Sequence, residues 1–73
     1  MVELDTRGLN CPLPVLKAQK ALRSMAAGER LCVLATDPKA PADFVQLCEV
    51  AGHLLVESAE RDGHWVIAIE KRG

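Results

Sequence analysis

One stretch of this sequence does not follow from packing: Asn10-Cys11-Pro12-Leu13-Pro14, a single thiol ahead of two prolines that bracket a leucine. Both prolines fit a helix start if Cys11 is the N-cap, because Pro12 is then N1 and Pro14 N3, where a missing N–H breaks no helical bond. Pro12 also drives Cys11 out of the α region, as a cap requires. The sulfur is then expected at the positive end of a helix, facing the free N–H of Leu13. There an anionic sulfur is favoured, and an exposed terminus lowers a thiol from about 8.5 to about 8. Such a thiol is available without being highly reactive, which suits repeated sulfur exchange with partner cysteines. Arg7 adds positive charge there if the turn through Gly8 folds back on the sulfur.

Other constellations are weaker. Cys32 lies in an apolar run and Cys48 on an apolar helical stripe, so both read as small buried hydrophobes. His53 and His64 each follow a glycine at an element boundary, and neither is placed beside Cys11, which disfavours a Cys-His hydrolase. A thioredoxin-type pair fails because its second cysteine would fall at Pro14. Three widely spaced cysteines without a C-x-x-C pair point to reduced thiols and to no disulfide framework or structural zinc.

The elements that must position Cys11 follow from periodicity. Residues 2–6 alternate apolar and polar as a short strand, and Gly8 marks a turn. Val15, Ala18, Leu22 and Met25 form the apolar stripe of a first helix whose wet face is Lys17, Lys20 and Arg23, with Gly28 as its C-terminal cap. Leu31 to Ala35 reads as an inner strand. Asp37-Pro38 breaks it, and a second helix begins near Ala40 or Pro41, buries Phe44, Leu47, Cys48 and Ala51, and ends at Gly52. A third strand starts at Leu54, and Arg61-Asp62-Gly63 turns it into a fourth, Trp65 to Glu70. The order β-α-β-α-β-β makes this an α+β chain. Its expected architecture is a two-layer α/β sandwich with a mixed four-stranded sheet and both helices on one face.

Seventy-three residues, 49% hydrophobic, make residues 1–73 a single domain with no room for a second core. Nine basic against ten acidic residues, scattered along the chain, and only two aromatics argue against direct nucleic-acid binding. No apolar run nears the roughly 20 residues that span a bilayer, and the N-terminus lacks signal-peptide blocks, so the expectation is a cytoplasmic protein with no membrane partner.

Leu4-Asp5-Thr6-Arg7-Gly8-Leu9-Asn10-Cys11-Pro12-Leu13-Pro14 closely resembles the L-D-x-R-G-L-x-C-P-x-P signature of the TusA-like (SirA-like) sulfur-carrier family. The helix after it, the Gly28-Glu29 turn, Asp37-Pro38 and the Gly52-His53 step also follow the family layout. The resemblance implies a fold like the C-terminal domain of translation initiation factor 3, and a sulfurtransferase that carries sulfur as a persulfide on Cys11 without metal or organic cofactor. In it Asp5 and Arg7 shape the surface around the sulfur, Gly8 the turn, and Pro12 and Pro14 the helix start. Implied partners are a cysteine desulfurase or rhodanese-type donor and a downstream acceptor protein, in tRNA thiolation, molybdenum cofactor synthesis or sulfur oxidation. The rival expectation is a non-catalytic, redox-sensitive interaction module.

Overall fold

A computed structural model describes residues 1–73 and orders six elements along the chain. They are β1 (Val2–Thr6), α1 (Leu13–Arg23), β2 (Arg30–Ala35), α2 (Ala40–Ala51), β3 (Leu54–Arg61) and β4 (His64–Glu70). The strands form one mixed sheet in the order β1-β2-β4-β3. β1 pairs with β2 in parallel, Val2 opposite Leu31 and Thr6 opposite Ala35, and β4 lies antiparallel to both β2 and β3. β1, β2 and β3 therefore point the same way, and α1 and α2 run back beside one another. Both helices start where β1 and β2 end.

Strand alternation sets the core. Leu31, Val33 and Ala35 of β2 are fully buried, as are Ile67 and Ile69 of β4, which sit opposite Val33 and Leu31. Ala18 and Leu22 of α1 and Phe44 and Leu47 of α2 close the layer above them. In the β3–β4 hairpin Asp62 and Gly63 have φ of 52° and 82°. Both central residues are thus left-handed, as a two-residue hairpin turn that follows the strand twist demands.

Three expectations are corrected. Gly28 does not cap α1: the helix stops at Arg23, and the N–H groups of Ser24 and Met25 reach back to the Ala21 and Leu22 carbonyls. Gly28 instead donates its N–H to the Lys71 carbonyl at 2.8 Å, while Lys71 N–H bonds Glu29, so its left-handed turn (φ 92°) leads the chain into β2. Ala51, the last residue of α2, is exposed because the helix leaves the core before its final turn. Cys32 is half-exposed rather than buried. The helices cover only one sheet face, and Cys32 shares the open face with its register neighbours Glu3 and Ala68.

Candidate functional site

The parallel pairing of β1 and β2 brings the loops that follow them side by side, and three hydrogen bonds cross between them. Thr6, fully buried, donates its hydroxyl to the Leu34 carbonyl at 2.6 Å, and Gly8 N–H donates to Thr36 Oγ1 at 2.9 Å. Cys11 N–H donates to Asp37 Oδ2 at 2.5 Å. The first loop turns tightly between Thr6 and Leu9, whose N–H bonds the Thr6 carbonyl, with Gly8 at φ 85° in the position where a type II turn needs glycine. Asp37 is buried, and its second oxygen takes the Lys39 N–H at 3.0 Å. Those two N–H donors hold its carboxyl below the usual carboxylate range.

Cys11 is exposed, as expected, but one residue farther out than expected. The N-cap is Pro12, α1 begins at Leu13, and Pro14 is a buried residue of its first turn. The Cys11–Pro12 peptide is cis. The Leu13 N–H expected to face the sulfur donates to the Asn10 carbonyl at 2.9 Å instead. The charge balance is corrected as well. The Asp43 carboxylate, in the first turn of α2, lines the same groove as the Cys11 thiol. The nearness of Asp43 first, then the partial loss of water and the charge of Asp37, raise the thiol's pKa above the ordinary value, against a smaller opposing pull from Lys39. The interaction of a thiol with an exposed helix terminus is worth only about 0.3–1 kcal/mol, so two nearby carboxylates reverse its sign.

Arg7 does not supply charge to the sulfur. Its Nε and Nη2 both bond the Asp5 carboxylate at 2.9 Å, and its backbone N–H bonds the same group at 3.0 Å. The guanidinium hydrogen bond is the main reason the Asp5 carboxyl falls to about 2. The signature pair therefore braces its own turn. His64 lies near Asp5, and His53 Nδ1 accepts the Arg72 N–H at 3.1 Å. Cys48 is buried under α2, and burial pushes its thiol up.

Cys11 and Pro12 open onto a groove of about 330 Å³ between the helices, walled by Val15 and Gln19 of α1 and by Asp43, Leu47 and Val50 of α2. Leu13, the first residue of α1, is 46% exposed. Asp37 and Asp43 are the residues the sequence reading missed. The only local signals were an Asp before Pro38 and an acid early in a helix, and both have bland readings as a strand breaker and a dipole partner.

The site presents a sulfur on a pinned backbone, open to an approaching molecule. Alkylation by iodoacetamide should accelerate with pH along a titration whose midpoint lies above the ordinary thiol value of about 8.5. Asp43→Asn should lower that midpoint and raise the rate at pH 7.5 several-fold. An unmoved midpoint would show that Asp43 does not set the thiol's charge.

Comparison with known proteins gives a consistent picture. The family model described as sulfurtransferase TusA matches residues 2–71. The sulfur carrier protein TusA of Allochromatium vinosum is 46% identical over 69 residues, 94% of this chain and 91% of that protein. The sulfur carrier protein TusA of Pseudomonas paraeruginosa is 42% identical over 94% of this chain and 87% of its own length. Among solved structures, the SirA-like protein of Desulfitobacterium hafniense superposes with a TM-score of 0.89 at 29% identity, over the whole of both chains.

Proposed function

This chain belongs to the sulfurtransferase TusA family, whose role is to carry sulfur, and from that premise we propose that it accepts sulfane sulfur as a persulfide on Cys11 and relays it in the cytoplasm to an acceptor thiol on another protein. One observation carries the reading. Cys11 is an exposed thiol whose backbone is fixed by Asp37, while Cys48 is buried and Cys32 lies on the sheet face away from the helices. A persulfide there has no neighbouring thiol to discharge it as an internal disulfide.

In loading, the Cys11 thiol first gives up its proton to solvent. The thiolate then attacks the terminal sulfur of a donor persulfide; the donor's S–S bond breaks as the new one forms, and the donor leaves as a thiolate. Delivery is the same exchange with an acceptor thiolate, so no external oxidant or reductant is consumed. The donor is a cysteine desulfurase or a rhodanese-type protein. Gly8 and the Asp5–Arg7 pair shape the loop that holds Cys11, and Pro12 and Pro14 set the helix start behind it.

Incubation of the reduced protein with a cysteine desulfurase and cysteine should add one sulfur atom, seen by intact mass spectrometry and removed by reductant. No adduct from that donor, from a loaded rhodanese or from polysulfide would overturn the carrier reading.

A further inference from the structure

The groove that opens at Cys11 does not end beside it. Gln19, Leu47 and Ala51 line both the groove and an adjoining second recess of about 260 Å³ at the other end of the helices, bounded by Arg23, His53 and Lys71. No Asp or Glu lines this recess. Arg23 has no carboxylate partner, whereas Arg7, Arg30, Arg61 and Arg72 each have one. Lys71 Nζ donates one hydrogen bond to the Met25 carbonyl at 2.6 Å and has further hydrogens to give. His53 spends Nδ1 as an acceptor for Arg72 N–H, which assigns its proton to Nε2. Three donor-bearing side chains thus line one recess with no carboxylate among them, and Gln19, Leu47 and Ala51 lie between them and the sulfur.

The two ends differ in sign. Asp43 stands at the Cys11 end and the three basic groups at the other, so an acidic group is repelled from one end and drawn to the other. The span follows from helix geometry. Leu13–Arg23 rises about 1.5 Å per residue, roughly 15 Å in all, which an extended peptide covers in about five residues. We propose that the groove is a docking track for an extended segment of a partner protein, whose exchanging cysteine lies at Cys11 and whose acidic side chain, about five residues away, lies among Arg23, His53 and Lys71. The proposal rests on Cys11 as the exchanging sulfur. Because the cations are solvent-facing, the contact steers and orients more than it tightens, and salt weakens it.

Short amidated peptides test this, each carrying a leading cysteine as its mixed disulfide with thionitrobenzoate and, about five residues on, either glutamate or glutamine. Exchange with Cys11 joins peptide sulfur to Cys11 sulfur and releases coloured thionitrobenzoate. At low salt the glutamate peptide should react about three- to tenfold faster than the glutamine peptide, and the ratio should fall towards one in high salt, in Arg23→Glu and in Lys71→Gln. Equal rates for the two peptides with the unmodified protein overturn the proposal. So does a dimer of this chain, seen by sedimentation and lost in Arg23→Glu, because a second copy would then fill the groove. Desulfurase loading of the same preparation reports separately on the carrier role: selectivity absent with loading intact removes only the docking track, and selectivity present without loading removes only the carrier reading.

Discussion

Cys11→Ser should keep the fold and take up no sulfur from any donor. The side chain is exposed and belongs to no part of the core, and the residue's structural tie is its backbone N–H to Asp37, which serine retains. A serine hydroxyl also replaces the exposed thiol with little change in shape. The thermal midpoint should therefore stay within a few degrees of the parent, and loading should drop to the reagent blank. Cys32→Ser and Cys48→Ala serve as controls and should load normally. Loading that survives in Cys11→Ser would move the carrier role to another thiol. Cellular function that survives in it would favour the alternative of an interaction module, in which Cys11 is only a redox-sensitive contact.

Phe44→Ala should come close to unfolding the protein. Phe44 is fully buried, belongs to the same cluster as Leu31, Val33, Ile67 and Ile69, and is the largest side chain in it. Truncating such a residue costs about 3–5 kcal/mol, while a chain of this length has a total stability of about 4–11 kcal/mol. At about 4–8 °C per kcal/mol the midpoint falls by roughly 12–40 °C. Val50→Ala on the same helix, at a position 81% exposed, should stay within about 0.5 kcal/mol. Urea titration followed by circular dichroism separates the two. A loss below about 1 kcal/mol for Phe44→Ala would mean that α2 is not anchored through this residue.

The elements were legible because their signals are local. Alternation in residues 2–6, the stripe of Val15, Ala18 and Leu22, and the Asp62-Gly63 turn each depend on neighbours along the chain, and each element stands where they place it. What stayed hidden depends on residues far apart in sequence. The Gly28 turn is claimed by Lys71, a partner no local pattern reveals, and the half-exposure of Cys32 follows from which face of β2 the helices cover. The same holds at the site. Cys11, its exposure and the nearby helix start were readable from two prolines, but the thiol's charge depends on Asp37 and Asp43, which reach it only through the parallel pairing of β1 and β2. Arg7 was misread for the opposite reason: its partner Asp5 is so close in sequence that it leaves nothing for the sulfur.

The place of β4 inside the sheet has a consequence for how the protein is born. β2 lacks its second neighbour, and the core lacks Ile67 and Ile69, until the ribosome has translated through residues 64–70. Until then Cys11 is a thiol on a chain without its completed core. Its tether and its groove arrive together when the final strand inserts. Positioned exchange at Cys11 is therefore expected of the completed fold and not of a chain that still lacks β4.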